Sequence, residues 1–399
     1  MTLIFTLRKL YHFFKSFLLK ALPATLRYGY PGRRLQIYGI TGTDGKTTSS
    51  TMLYHLLKTA GYKVALISTV AAYIGDEEID TGFHVTSPEH WQVQQLLKRC
   101  ADEGIEHVVL EVTSHGILQY RTWGIPFAIA GITNVSEEHL DYFVDYEHYL
   151  ATKAQLLLAA KTAIIPAEER CTKPLKAILK DHDKKWLEYE PLSGSSEVAR
   201  AIRDRFPEAY NHKNAQLVRK MAEQLSISDE VMAEAFSSFP GVKGRMQEIA
   251  NDRGLKIVVD FAHTPQAQEA VLTALRPQTR GQLIVVFGCA GLRDHTKRPK
   301  MGEISTRLGD MAVFTAEDPR TEKLQVIFRQ MKEGVHPGNQ RKMITIPNRG
   351  EAITFALNLA KSGDTIAILG KGHEQSMCFG TTEIPWSDQD FVTKLLGQK

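Results

Sequence analysis

The chain is poor in cysteine, with Cys100, Cys171, Cys289 and Cys378 scattered far apart over 399 residues. No pair has the spacing of a zinc ribbon or a disulfide framework, so both are excluded and a reducing cytosol is the expected compartment. Internal repeats and low-complexity tracts are absent, which excludes solenoids and disordered arrays. Acidic residues are missing from positions 1–43, where seven basic ones stand: Arg8, Lys9, Lys15, Lys20, Arg27, Arg33 and Arg34. The formal net charge is +4, so the remainder of the chain carries −3. Basicity confined to one end argues against a general nucleic-acid binder, and no nucleic-acid partner is expected.

Within residues 1–22, Leu3, Leu7, Leu10, Phe14, Phe17 and Ala21 recur at helical spacing, with Ile4, Tyr11 and Leu18 beside them. Arg8, Lys9, His12, Lys15, Ser16 and Lys20 fall on the opposite face, which predicts a basic amphipathic helix. Its charges make it a poor spanning segment, and it has no small-residue cleavage site of the signal-peptide kind. Two readings remain. The helix lies flat on anionic lipid as a peripheral contact at the inner membrane surface, or it packs its apolar face onto the protein or a partner.

A hydrophobic content of 43% over this length supports about two or three domains with substantial cores. From Leu35 on, β-branched runs at 35–40, 64–69, 107–112, 127–133 and 162–166 alternate with helical patterns at 46–60, 89–103 and 146–160. The stretch 168–205 reads as irregular and charged, and helices follow near 212–225 and 229–238. Phe239-Pro240-Gly241 breaks the last of these, and a second alternating series has strands near 256–262, 283–289, 311–316, 343–347 and 365–370. The expected fold is α/β. A central P-loop-type parallel or mixed sheet (35–241) precedes a Rossmann-like, doubly wound C-terminal domain (242–399), with residues 1–34 as a basic N-terminal segment.

The most telling motif is Gly42-Thr43-Asp44-Gly45-Lys46-Thr47-Thr48, directly after the apolar run 35–40. Glycines let the backbone turn its N–H groups inward, lysine adds fixed positive charge, and a threonine hydroxyl can ligate magnesium at the start of a helix. The strict eight-residue P-loop pattern wants glycine where Ile40 stands, so this stretch alone leaves an ordinary strand-to-helix turn open. Further polar clusters follow at strand ends: Glu111 to Gly116, Thr133 to Ser136, His139 to Tyr142, Lys153, Tyr210 to Asn214, Gly244 to Met246, Asp260 to Pro265, Gly288 to Pro299, Glu317 to Arg320 and Gly370 to Glu374.

In order and spacing this series resembles the Mur ligases, and among them the tripeptide synthetases that add the third residue of the peptidoglycan stem peptide. The resemblance runs from about Leu35 to the C-terminus. It implies ATP-dependent, ADP-forming amide synthesis, with ATP and Mg2+ required and an acyl phosphate formed on the way. It assigns Lys46 and the loop to the β- and γ-phosphates, and Thr47 and Glu111 to one magnesium. His139 becomes the ligand of a second magnesium, and Lys153 the lysine that is carbamylated to support it. Without the resemblance, His139 and Lys153 would read as a structural histidine and a solvated helix lysine.

For the nucleotide, the resemblance implies Asn211 on the adenine side, Arg245 at the phosphates, and Asp260 and His263 as ribose and phosphate neighbours, with domain closure excluding water. Thr86, Ser87, Ser114 and Arg121 match positions that hold the muramoyl-peptide acceptor. Arg293, Asp318, Pro319, Arg320, Gly370 and Glu374 match those that recognise the incoming amino acid. The family motif Asp-Asn-Pro-Arg, which marks selection of meso-diaminopimelate, reads Glu317-Asp318-Pro319-Arg320 here. Arg320 favours a substrate with a second carboxylate, while Asp in place of Asn adds a charge suited to an ammonium, as in lysine.

The family's N-terminal domain, which grips uridine diphosphate, has no room ahead of Lys46 in this sequence, so the expectation is weak use of that handle or an acceptor presented differently. Two alternatives stand beside this reading. One is a ligase of the same mechanism acting on another acid, such as a folylpolyglutamate or storage-peptide synthetase. The other is a non-catalytic nucleotide-binding scaffold. Ser114-His115-Gly116 after Glu111 and the Glu-Asp-Pro-Arg motif point away from the first, and the intact Lys46, Thr47, Glu111, His139 and Lys153 point away from the second. A monomer is expected.

Overall fold

A computed structural model describes residues 2–79, 88–136 and 140–397. The chain divides into two compact units, Met1–Pro240 and Gly241–Lys399.

The first unit is built on eight strands: β1 (Gln36–Thr41), β2 (Val64–Ile67), β3 (Ala72–Ile74), β4 (Glu77–Ile79), β5 (His107–Glu111), β6 (Phe127–Ile132), β7 (Thr162–Pro166) and β8 (Trp186–Tyr189). Their order in the sheet is β4-β3-β2-β5-β1-β6-β7-β8. The pairs from β2 through β8 are parallel, whereas β3 and β4 add antiparallel edges. Ile37, Ala65, Val108 and Ala130 meet Leu97, Leu156 and Leu157 of the helices His90–Asp102 and Tyr146–Ala159 in one continuous core. The helix Ala209–Glu223 lies so close to β6 that a Cβ on Gly131 would sit 2.6 Å from Leu217. β1 leads to β2 on one side, and β5 leads to β6 on the other, so the carboxyl ends of β1, β5 and β6 frame the crevice where such sheets bind ligands.

The stretch 168–205, read from sequence as irregular, contains the helix Thr172–Asp181, β8 and the helix Glu197–Arg205. Its few apolar residues, Leu175 and Leu179 in one helix and Val198 and Ile202 in the other, stand four apart and are fully buried. The surrounding charges mask that period in the composition. Strands β3 and β4 also escape pattern reading, because three residues are too few to show alternation.

The N-terminal segment is helical from Thr2 to Tyr28 but not regularly wound, since Phe13–Ala21 forms a π-helix between two α-helical pieces. The wider winding steps the buried positions from His12 to Ser16 to Ala21. Phe17 turns onto Tyr120 and Trp123, at ring-centroid distances of 5.4 and 5.0 Å. The expected single apolar stripe is thereby corrected: Phe17 and Ala21 face the unit, while Leu7, Leu10 and Phe14 face outward.

The second unit holds β9 (Gln247–Ile249), β10 (Lys256–Asp260), β11 (Leu283–Phe287), β12 (Met311–Phe314), β13 (Met343–Thr345) and β14 (Thr365–Leu369), with a separate hairpin of β15 (Ser376–Phe379) and β16 (Thr382–Pro385). The sheet order is β13-β12-β11-β14-β10-β9, parallel except for β9. Apolar cores cover both faces, one around Val285, Phe287 and Met301 and the other around Ile257, Ile284 and Ile353. Arg349 and Asp388 are both 0% exposed and pair through two 2.6 Å contacts. Arg349 also donates to the carbonyls of Ala316 and Leu369, the residues just before Glu317 and Gly370.

Removing one partner of such a pair strands a buried charge. Asp388→Ala should therefore lower the unfolding free energy of this unit by about 3–5 kcal/mol, seen as an earlier denaturant transition, whereas the isosteric Asp388→Asn should lose less. Equal transitions for Asp388→Ala and the parent would show that the pair does not hold the unit together.

Candidate active site

The loop after β1 cannot form without glycine at two points. Gly42 has φ +152°, and a Cβ there would fall 1.8 Å from Thr133 Oγ1. Gly45 has φ +80°, and its Cβ would fall 2.2 Å from Asn214 Oδ1. The chain after β6 staples the loop in place. Thr133 Oγ1 donates to the Asp44 carbonyl at 2.6 Å, Asp44 N–H to Asn134 Oδ1 at 3.1 Å, and Thr43 N–H to the Asn134 carbonyl at 2.9 Å. The helix Lys46–Thr59 starts directly afterwards with no side-chain cap, so its first N–H groups and its dipole face the loop.

Four predicted residues converge on this loop. Lys46 Nζ donates to the Thr43 carbonyl at 2.7 Å. Thr47 Oγ1 donates to Glu111 Oε1 at 3.1 Å, and the second carboxylate oxygen accepts from Thr69 N–H at 2.9 Å. Lys153, buried in the helix behind, donates to the Gly42 carbonyl at 2.6 Å and lies 4.4 Å over the Tyr149 ring. Thr48 occupies the third position of the helix. The arrangement concentrates cationic and N–H donors against a hard-oxygen pair, which suits a polyphosphate and a hard cation.

Asn211 stands in the first turn of the helix Ala209–Glu223, which begins earlier than its apolar pattern suggests. Its Nδ2 donates to Glu208 Oε2 at 3.3 Å, and its Oδ1 accepts from Asn214 Nδ2 at 3.0 Å, forming a buried relay that ends beside Gly45. Ser114 is buried at the start of a short helix capped by Thr113, whose Oγ1 accepts from Gly116 N–H at 3.0 Å. Arg121 pairs with Glu89 at 2.9 Å and also donates to Gln119. Burial holds its guanidinium below the ordinary value despite Glu89. Thr86, Ser87 and His139 lie outside the described residues.

The second unit carries its own cluster. Asp260 is buried and accepts from Met246 N–H at 2.6 Å and Ala262 N–H at 2.7 Å, while burial pushes its carboxyl above the usual range. Arg245 stacks 4.5 Å over Phe261, and His263 shares a 2.9 Å contact with the Phe261 carbonyl. Asp318 Oδ1 accepts from Lys371 Nζ at 2.9 Å and Cys378 N–H at 3.0 Å, and Lys371 also pairs with Glu374 at 2.5 Å. Arg320 donates to the Gly291 carbonyl at 3.1 Å, and its backbone bridges to β15. Pro319 and Gly291 are so close that a Cβ on Gly291 would fall 2.0 Å from the Pro319 carbonyl, which brings the loop holding Arg293 against the Glu317–Arg320 turn. Gly370 has φ +106° and faces buried Glu317, whose Oε2 has no hydrogen-bond partner and whose carboxyl burial pushes upward.

Sequence reasoning placed Lys371 and Asn214 in polar clusters without giving either a role, though Lys371 organises this cluster, and it missed Thr69 in the first unit. Lys371 was within reach, because a Lys and a Glu three residues apart in Gly-Lys-Gly-His-Glu can pair across one turn. Asn214 and Thr69 act through tertiary proximity that no local spacing encodes. Among the described residues no group of three or more His, Cys, Asp or Glu side chains is placed to hold a metal.

Comparison with known proteins gives two domain-level matches, the Mur ligase middle domain over residues 40–231 and the Mur ligase glutamate ligase domain over residues 244–372. A UDP-N-acetylmuramoyl-L-alanyl-D-glutamate–2,6-diaminopimelate ligase of Clostridium botulinum is 34% identical, covering 94% of this chain and 81% of its own. A UDP-N-acetylmuramyl-tripeptide synthetase of Roseiflexus is 35% identical, covering 93% and 80%. A solved diaminopimelate ligase aligns with TM-score 0.60 at 29% identity over 91% of this chain and 78% of its own. A folylpolyglutamate synthase of Mycobacterium tuberculosis aligns with TM-score 0.73 over 94% of each chain at 16% identity, a likeness of fold alone.

Gly45→Ala should weaken nucleotide binding by at least about tenfold, from backbone strain and collision with Asn214. Gly61→Ala is the control, with a similar φ of +83° but nothing within 4 Å of its Cβ; calorimetry with ADP should show its affinity unchanged, and equal affinities for all three proteins would contradict the role given to Gly45. A second prediction concerns pH. Burial, aided by the Arg245 cation, holds His373 down to about 3 from 6.5, so the unfolded chain takes up a proton that the folded chain refuses. The stability this histidine leaves intact above 6.5 is lost as pH falls toward about 3. His373→Gln should flatten the stability profile in that window, and an unchanged slope would refute the assignment.

Proposed function

The chain belongs to the Mur ligase family, and from that premise we propose that it joins meso-diaminopimelate to a muramoyl-dipeptide acceptor in peptidoglycan precursor synthesis, as an ATP-dependent, ADP-forming ligase. The observation that carries the proposal is the convergence of Lys46, Thr47, Glu111 and Lys153 on one glycine-bent loop at the carboxyl ends of β1, β5 and β6. The relatives with this chemistry in their names match over more than nine-tenths of the chain.

A carboxylate is a poor electrophile, and phosphorylation by ATP makes it one that an amine can attack. Crowding of negative charge opposes that transfer. Lys46 and the N–H groups at the start of its helix offset the charge on the β- and γ-phosphates. Thr47 and Glu111 supply the hard oxygens that would hold Mg2+, and the ion would neutralise charge on the phosphate oxygens. His139 and carbamylated Lys153 keep the role of a second magnesium support, and Asn211 that of adenine contact. In the second unit, Arg245, Asp260 and His263 keep the nucleotide roles that the resemblance gives them. Thr86, Ser87, Ser114 and Arg121 are assigned to the acceptor.

Arg293, Asp318, Pro319, Arg320, Gly370 and Glu374 are assigned to the amino acid. Asp318 Oδ1 is engaged by Lys371 and Cys378 N–H, which leaves that oxygen less available to a substrate ammonium. Selection then falls to Arg320 and favours the second carboxylate of diaminopimelate over lysine. We place the reaction in the cytoplasm, in a monomer with four unpaired cysteines, and give residues 1–22 a peripheral contact at the inner membrane surface. No described helix is long and apolar enough to cross a membrane.

ADP release should require a muramoyl-dipeptide acceptor and should be faster with meso-diaminopimelate than with lysine. Lys46→Ala should reduce it by about a thousandfold or more. No release with any acceptor and amine would favour a non-catalytic nucleotide-binding protein, and full activity of Lys46→Ala would overturn the mechanism.

A further inference from the structure

The N-terminal helical segment is mounted with Arg8, His12, Ser16 and Lys20 toward the protein, beside Phe17 and Ala21. His12 is buried, with Nε2 2.6 Å from Tyr142 Oη and Nδ1 3.0 Å from Ser16 Oγ, and Arg8 donates to the Tyr142 carbonyl. Lys20 pairs with Glu89 at 3.3 Å. The apolar side consequently faces solvent: Leu19 is 71% exposed, Leu7 and Phe14 55%, and Leu10 and Tyr11 52%. Exposure continues through Leu26 to Trp91, whose ring meets Tyr28 edge-on at 6.3 Å. A contiguous apolar surface of this kind on a water-facing helix needs an occupant.

Charge selects the occupant. Residues 1–43 contain no acidic side chain. Lys15 is fully exposed beside the apolar face, with its ammonium against Tyr11 Oη, and Arg27 is exposed next to Leu26. A second copy of the chain would bring these cations against one another, whereas an anionic surface complements them. Exposed Trp91 and half-buried Tyr28 add the aromatic pair that suits a headgroup region.

We propose that the outward face of residues 6–27 docks flat onto an anionic lipid bilayer, with Leu7, Leu10, Phe14 and Leu19 among the acyl-chain boundary and Lys15 and Arg27 at lipid phosphates. This specifies the peripheral contact of residues 1–22 and fixes its orientation: the helix is held through His12, Ser16, Phe17 and Ala21, so docking of the outward face needs no detachment from the unit. Glu89 links the segment to the candidate acceptor site, because it binds Lys20 on one side and Arg121 on the other.

Flotation of the full chain with phosphatidylcholine vesicles, with and without phosphatidylglycerol, tests this independently of ligase activity. Binding should be at least about tenfold stronger with phosphatidylglycerol and should weaken as salt is raised. The double variant Leu10→Glu, Phe14→Glu should lose about a hundredfold in vesicle affinity with its thermal unfolding midpoint unchanged, since both side chains face solvent. The proposal is overturned if the parent fails to float with anionic vesicles, or if the double variant floats equally well. It is also overturned if sedimentation velocity shows a parent dimer that the double variant abolishes, which would make a second copy the occupant. Loss of ADP release in a protein that still floats would count against the ligase reading alone.

Discussion

The first unit depends on one constraint: a tight loop must leave β1 with its carbonyls tied back and the N–H groups at the start of the next helix aimed forward. Gly42 and Gly45 make the bend sterically allowed, and Thr133 and Asn134 hold it. Because β1 lies between β5 and β6, the same loop becomes the meeting point for Glu111 from one neighbour and the Thr133–Ser136 chain from the other. A P-loop glycine at position 40 is unnecessary for this geometry. Ile40 is the last fully buried apolar residue of the strand, and the bend begins two residues later.

The second unit solves a comparable problem with a buried cation. Arg349 gathers the carbonyl of Ala316, two residues beyond β12, and that of Leu369 at the end of β14, and Asp388 balances its charge. Lys371 performs the same service one layer out, tying Asp318 to Glu374. These buried charges are paired, as their desolvation requires. They hold the Glu-Asp-Pro-Arg turn and the Gly-Lys-Gly-His-Glu turn in register with β15.

Much of this was legible in the sequence because parallel strands buried on both faces read as unbroken apolar runs, and the strands at 36–41, 107–111, 283–287 and 365–369 carry that signal. Their polar successors were identifiable by position. Four kinds of feature were not legible. Short antiparallel additions such as β3, β4 and the β15–β16 hairpin lack enough residues to show a period. The helices in 168–205 hide a narrow apolar stripe among charges. The π-helical turn at Phe13–Ala21 changes the facing of every residue after it, so a 3.6-residue wheel assigns Phe17 and Ala21 to the wrong side. Partners brought in by the tertiary fold, such as Asn214 beside Gly45, have no local signature.

The central claim is that the loop and its neighbours transfer a phosphoryl group to a carboxylate before the amide bond forms. An acceptor whose carboxylate carries heavy oxygen, incubated with ATP and meso-diaminopimelate, tests it directly by mass spectrometry of the released phosphate. Transfer through an acyl phosphate predicts one heavy oxygen in each phosphate released and one retained in the amide. Phosphate free of the label, formed alongside product, would contradict the account.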